Sequence, residues 1–218
     1  VTGLIRGRDR KWKDGNMSYV TAFSCRAADV ATFASEAAGH GKEVAMNAGA
    51  TDVRVMQTVM GGDRAGMINV LFDVPSINAA MDVSAAVNAD SKVMDVLKSC
   101  GVEMIGRSLM RVAAQRGTTD GTYGTLLMMT GNQIDDARSD SNIGDIWAYL
   151  SDVAHGMRLM QAHSAGVAMA PWAIATWTDD LDALAAASAT GLQDPKVQAN
   201  MADANIMMIG RSTSRSLA

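Results

Sequence analysis

The sequence aligns with itself, without a gap, at a constant shift of 104 residues. Met104-Ile105-Gly106-Arg107-Ser108 falls on Met208-Ile209-Gly210-Arg211-Ser212, and Arg111 falls on Arg215. Asp90-Ser91-Lys92-Val93 falls on Asp194-Pro195-Lys196-Val197, and Arg54-Val55-Met56-Gln57 on Arg158-Leu159-Met160-Gln161. Gly62 meets Gly166, Tyr19 meets Tyr123 and Thr21 meets Thr125. Islands matched at one offset are hard to produce by chance, and internal repetition constrains a fold more than any local propensity does. The chain is therefore expected to hold an N-terminal extension over 1–16, one unit over 17–112, a linker over 113–120 and a second unit over 121–218. Arg116 to Gly121, with its glycines, threonines and aspartate, has loop composition.

Each unit reads as the same series of elements. Tyr19–Ser24 and Tyr123–Met129 predict a first strand. Val30, Phe33, Ala34 and Ala37, and then Ile143, Ile146, Trp147 and Leu150, recur at helical spacing. Gly39 and Gly41 weaken the later part of the first of these helices. Val53–Met60 and Met67–Phe72, joined through Gly61-Gly62, predict a hairpin, repeated as Met157–Ser164 and Met169–Trp177 around Gly166. Pro75-Ser76 and Thr178-Asp179-Asp180 carry helix-start chemistry. Ile77, Ala80, Met81 and Ser84, matched by Leu181, Leu184, Ala185 and Ser188, predict the inner face of the helix that follows. Asp90–Leu97 predicts a further helical turn, and Val102–Met110 and Ile206–Thr213 a closing strand.

Strand, helix, strand, strand, helix, strand, twice over, predicts two four-stranded antiparallel sheets, each with its helices on one face. The strands are apolar on both faces: Val53 and Val55 oppose Met56 and Met60, and Ile68, Val70 and Phe72 oppose Met67 and Leu71. A sheet apolar on both faces needs cover on both, and the natural cover is the twin sheet. The expected class is α+β: two tandem ferredoxin-like (βαββαβ) units, sheets packed face to face as a barrel-like pair, helices outside.

This order resembles the dimeric α/β-barrel superfamily of ferredoxin-like domains, here as a fused tandem version. The resemblance spans about 200 residues as topology and duplication rather than as a catalytic motif. It implies a small-molecule pocket between sheet and helices. Relatives include cofactor-free monooxygenases of antibiotic biosynthesis, muconolactone isomerase-type enzymes, stress-responsive barrel proteins and the haem-binding chlorite dismutase group. Fold sharing at this level does not choose among these activities.

Polar residues repeated on apolar strands are the first candidates. Arg54 and Arg158 begin the second strand of each unit, and Gln57 and Gln161 follow three residues on. Arg107 and Arg211 lie in the last strands, Tyr19 and Tyr123 in the first. Because first and last strands are antiparallel neighbours, Tyr19 is expected near Arg107 and Tyr123 near Arg211. One reading makes the arginines planar donors for a substrate carboxylate at the barrel mouth. The other makes them structural contacts kept in both copies.

Residues present in one copy only are the second group. His40, His155 and His163 face Gly144, Thr51 and Val59 in the other copy. His163, in step with Gln161, is the expected proton-transfer residue, with Gln161 orienting. Trp172 and Trp177, whose counterparts are Ile68 and Asp73, are expected as pocket walls, placing the active pocket in the C-terminal half. The leading expectation is a cofactor-independent enzyme, monooxygenase- or isomerase-like, on a small apolar or aromatic carbonyl substrate. Haem is the alternative cofactor, with His163 or His155 as axial ligand. A non-enzymatic ligand sensor or assembly module is the third reading, and whether the chain is an enzyme stays open.

Composition narrows the partners. A net charge of −4 and no basic, aromatic third strand argue against nucleic acid. No apolar run is long enough for a membrane span, and the charged N-terminal residues Arg6, Arg8, Arg10, Lys11 and Lys13 do not resemble a secretory leader. A cytoplasmic protein with a small-molecule ligand is expected, with further assembly of copies through its outer strand edges as an open option. Two cysteines exclude a disulfide scaffold and a four-cysteine zinc site. Cys25 and Cys100, at the ends of neighbouring strands, are expected either as a reversible pair or as two buried thiols. The 17 methionines read as core filler. No phosphate loop, dinucleotide fingerprint, zincin motif or nucleophile elbow is present, and no metal site is expected.

Overall fold

A computed structural model describes residues 18–166 and 170–218. The N-terminal extension and Met169, expected as the start of a strand, lie outside the described residues. In the first half, β1 (Ser18–Arg26) leads into α1 (Val30–Glu36), a π-helical segment at 37–41 and α2 (Lys42–Asn47). The hairpin β2 (Asp52–Met60) and β3 (Ile68–Val74) follows, then α3 (Ile77–Ala89), α4 (Ser91–Ser99) and β4 (Glu103–Gly117). The second half runs β5 (Tyr123–Thr130), α5 (Asp136–Leu150), β6 (Gly156–Ser164), β7 (Trp172–Thr178), α6 (Leu181–Gln193), α7 (Pro195–Asp203) and β8 (Met207–Ser216).

Local chemistry sets the helix starts. Ser76 caps α3 by accepting from the Ala79 N–H, and Asp180 caps α6 through the N–H groups of Asp182 and Ala183. The repeated Asp-x-Lys-Val island is also a cap. Asp90 accepts from the Val93 N–H at the start of α4, and Asp194 from the Lys196 and Val197 N–H groups at the start of α7. Each satisfies donors that a helix leaves open at its first turn.

The eight strands close into one antiparallel barrel in the order β1-β3-β2-β8-β5-β7-β6-β4. Each half contributes a sheet of the same internal order, β4-β1-β3-β2 and β8-β5-β7-β6. The two sheets, expected face to face as a barrel-like pair, hydrogen-bond at both edges, β2 to β8 and β4 to β6. Closure removes the strand edges a half-barrel would expose, and eight strands enclose an interior that side chains can fill.

That interior is filled. Val20, Met110, Val112, Met160 and Ala173 form the lumen cluster. The space between the two sheets is thus occupied by apolar side chains. Outside the barrel, Phe23, Val55, Ile68 and Val70 pack under the first half's helices, and Leu159 and Trp172 share a core with Ile143 of α5 and Leu184 of α6 in the second half.

β4 is longer than expected. Residues 113–117, read as the start of the linker, continue the strand and pair with the start of β6. Their own residues (Ala, Ala, Gln, Arg, Gly) favour no strand; the partner strand supplies the reason. On α3, the buried inner face is Ala80 and Val83, while Ile77 and Met81, expected inside, are exposed.

Candidate functional site

The longer β4 changes the predicted tyrosine–arginine pairs. Tyr19 lies opposite Arg111, and Arg107 lies opposite Phe23, four residues away. The second half repeats this: Tyr123 lies opposite Arg215, and Arg211 opposite Leu127. The strands are neighbours as expected, but neither tyrosine meets the arginine assigned to it.

Arg111 and Arg215 serve the two seams. Arg111 donates from Nη2 to Gln161 Oε1 at 3.0 Å across β4–β6. Arg215 donates from Nη2 to Gln57 Oε1 at 2.9 Å across β2–β8. The same arginine–glutamine bond thus closes each side of the barrel, which explains why both residues occur in both copies. Arg111 also pairs with Asp136 at 2.7 Å.

The strand parity overturns the shared cavity predicted for Gln161 and His163. Met160 and Ala162 face the lumen, so Gln161 and His163 lie on the outer, helix-facing side of β6. His163 is exposed and meets the edge of Tyr19, ring centroids 5.8 Å apart. Trp172 and Trp177 also part company. Trp172 is fully buried beneath the second half's helices, whereas Trp177 turns inward with Ala173 and Ala175. They cannot wall one pocket.

Arg54 and Arg158 do come together, inside one end of the barrel. Arg158 donates from Nη1 and Nη2 to the two carboxylate oxygens of Asp73 at 2.8 and 2.7 Å, and from Nε to Gln115 at 2.6 Å. Arg54 donates from Nη2 to the same Asp73 at 2.6 Å. Trp177 stacks against both guanidinium groups, at 5.3 and 5.7 Å. Burial disfavours the charge on Arg54; Asp73 opposes that effect and Arg158 adds to it. The expected carboxylate receptor therefore holds a carboxylate of the chain's own.

An apolar cavity of about 70 Å³ lies elsewhere, between the sheet and the helices of the first half. Phe33, Phe72, Val70, Ala80, Val83 and Val87 form its walls. Its polar lining comes from His40, Glu36, Ser84, Thr21 and Arg107, and of the predicted site residues only Arg107 is present there. Arg107 donates to Ser84 Oγ at 2.6 Å and to Asn88 Oδ1 at 2.7 Å while stacking on Phe23 at 5.3 Å. His40 Nε2 meets Asp90 Oδ1 at 3.0 Å. The Val93 N–H and His40 hold the Asp90 carboxyl below its ordinary value. Glu36 pairs with Lys92 at 3.4 Å, so two polar contacts clasp α4 to the π-helical segment and the end of α1.

The matching positions of the second half carry larger residues. Leu184, buried against Trp172 in the core of that half, occupies the position of Ala80. Trp172 itself replaces Ile68. The helix corresponding to the broken α1–α2 region is the uninterrupted α5. The sequence signals that mark His40 are the flanking glycines and the small residues opposite, both confined to one copy.

Cys25 and Cys100 are free and buried in the first half's core rather than bonded. Burial pushes the Cys25 thiol up to about 11.

No known family's sequence profile matches the chain, and no curated protein sequence matches it. Solved structures do. A haem-binding protein from Thermus thermophilus superposes with a TM-score of 0.58 at 8% identity, over 92% of this chain and 91% of that one. A mutant chlorite dismutase from Candidatus Nitrospira defluvii gives 0.54 at 12% identity, over 92% of each. A protein from Fusobacterium nucleatum, provisionally named a monooxygenase, gives 0.54 at 8% identity, over 93% and 92%. The chain shares its fold with these proteins, and at such identities the likeness is one of fold alone. No helix among the described residues is long and apolar enough to cross a membrane.

The described histidines do not fit haem. An axial ligand must point into an apolar space that admits the macrocycle. His163 is exposed on the outer face, His155 Nε2 meets Asp179 at 2.8 Å on the surface, and the cavity beside His40, at about 70 Å³, does not admit a macrocycle.

Proposed function

We propose that this chain is a small-molecule-binding α/β-barrel whose ligand occupies the sheet–helix cavity of the first half. We read the barrel as two tandem ferredoxin-like units from a duplication, one of which kept an open site while the other was filled. The observation that carries this is the asymmetry at one matched position: Ala80 lines the cavity where Leu184 fills the other half's core. Apolar walls with a few convergent polar groups are the usual make-up of a ligand pocket. The aromatic walls and the Arg107 guanidinium favour a small aromatic or branched molecule with an anionic head. The haem-binding and chlorite dismutase neighbours support a pocket in this fold, while the histidine placements favour a ligand other than haem.

The test is a calorimetric titration with 3-phenylpropanoate, whose apolar ring and carboxylate complement the apolar walls and Arg107 in chemical character. The wild type is expected to bind it. Ala80→Leu, which copies the filled half, is expected to weaken binding by at least about tenfold, the effect of a lost ring contact worth about 1.4 kcal/mol. Equal binding by both proteins would place the ligand elsewhere.

A further inference from the structure

We propose that His40 and Asp90 form a proton-transfer centre at the rim of this cavity, acting on enolisable aromatic 2-oxo acids. The inference rests on the cavity being the ligand site and goes beyond it by assigning a reaction.

Three independent features converge on His40. First, it is the one histidine that lines the cavity. Its Nε2 is held by Asp90 at 3.0 Å, which leaves Nδ1 as the ring nitrogen not committed to the carboxylate. A carboxylate on one imidazole nitrogen fixes the tautomer and supports the imidazolium that forms when the other takes a proton. Second, Asp90 is itself fixed. It caps α4 through the Val93 N–H at 2.9 Å, so the dyad is anchored to a helix end rather than to a mobile side chain. Third, His40 sits in a π-helical turn, between Gly39 and Gly41. Such turns recur at functional sites. Neither glycine is there to relieve crowding or a left-handed backbone. A Cβ at residue 39 would meet nothing within 4 Å, and one at residue 41 would make an ordinary contact at 3.4 Å. Glycines inside a helix cost stability. Here the cost falls on the turn that presents the histidine, and the matching stretch of the other half lies within continuous helix.

The remaining charged groups around His40 set the substrate's polarity. Glu36 lines the same cavity with Lys92 paired to it at 3.4 Å, and Arg107 supplies the cation of the lining. A carboxylate on Arg107 and an aromatic ring against Phe33 and Phe72 leave the carbon next to the carbonyl as the polar, reactive part. In the reaction, His40 Nδ1 takes a proton from the carbon beside the keto group. The C–H pair becomes the new C=C bond, and the carbonyl π pair moves onto oxygen. The imidazolium returns the proton to that oxygen, giving the enol and restoring neutral His40. No oxidant, metal or co-reactant is consumed.

Phenylpyruvate is the probe, its enol followed by ultraviolet absorbance in a weakly catalytic buffer. The wild type is expected to accelerate keto–enol exchange above the buffer rate. His40→Ala and His40→Gln are expected to lose at least about 100-fold of that acceleration, the lower range of general acid–base effects, while still binding 3-phenylpropanoate. Asp90→Asn, which keeps a good capping side chain, is expected to lose part of the rate and to shift its pH profile. Binding of 3-phenylpropanoate without acceleration, or full acceleration by His40→Gln, would overturn the dyad and leave the cavity standing. Binding of neither compound would overturn both readings.

Discussion

Asp73 accepts two hydrogen bonds from Arg158 across the lumen, joining the first half of the barrel to the second at 2.8 and 2.7 Å. Asp73 also accepts from Arg54, so one carboxylate serves two buried guanidinium groups. Removing it leaves both uncompensated. Breaking a buried pair from one side costs about 3–5 kcal/mol, and Asp73→Ala is expected to lose stability in that range by urea denaturation. Arg158→Met combined with Asp73→Ala should cost less than Asp73→Ala alone, because one stranded cation is then gone. A loss below about 1 kcal/mol for Asp73→Ala would mean that water reaches this end of the barrel.

The seam bonds predict a different pattern. Gln161→Leu removes the acceptor of Arg111, and Gln57→Leu that of Arg215. Hydrogen bonds to charged groups contribute about 1.5–3 kcal/mol when buried. Gln161→Leu is expected near the low end of that range, and Gln57→Leu lower still because Arg215 is exposed. The seams lie on separate strand pairs, so the two losses should add. Equilibrium unfolding of the two single variants and the double variant checks this, and ligand binding should be unaffected. Loss of binding in Gln161→Leu would return that residue to the site.

Acid should act on the carboxylates that cap and clasp. Hydrogen bonds from the Thr122 N–H and hydroxyl, with a further one from His155, bring the Asp179 carboxyl down to about 2 from an ordinary 3.8. A carboxyl depressed on folding contributes stability that is present above its ordinary value and lost as pH falls toward the folded one. Thermal melting is therefore expected to decline between about pH 4 and pH 2, and Asp179→Asn should flatten the decline in that interval. An unchanged slope would mean that other carboxylates carry it.

The Cys25 thiol behaves in the opposite sense. Burial raises it to about 11 from 9.0. Its contribution is intact below the ordinary thiol value and is lost as pH rises through the folded one. A disulfide reagent at pH 8 is expected to leave Cys25 unlabelled in the folded protein and to label it promptly in denaturant. Prompt labelling of the native chain would show that β1 opens locally.

The sequence made the order of elements, the hairpins and the helix caps legible, because period, glycine pairs and capping residues are local signals. It singled out Arg54 and Arg158 as repeated polar residues on apolar strands, but not that they share Asp73. Register was not legible. Ala113 to Gly117 carry no strand signal, yet β6 holds them in β4, and that extension moved Arg111 rather than Arg107 opposite Tyr19. The facing of β6 was hidden for a related reason. Both sides of that strand are apolar, so alternation alone could not say whether Gln161 or Arg158 points inward. The cavity was hidden because it depends on a difference in size, Ala80 against Leu184, between two residues that are both simply apolar.

The location of the ligand is the central claim, and methyl NMR tests it most directly. With 3-phenylpropanoate added, the methyl signals of Val70, Val83 and Val87, which line the first half's cavity, are expected to shift together. Those of Met110 and Met160 in the lumen, and of Leu184 in the second half, are expected to stay in place. Shifts confined to the lumen or to the second half would contradict the account.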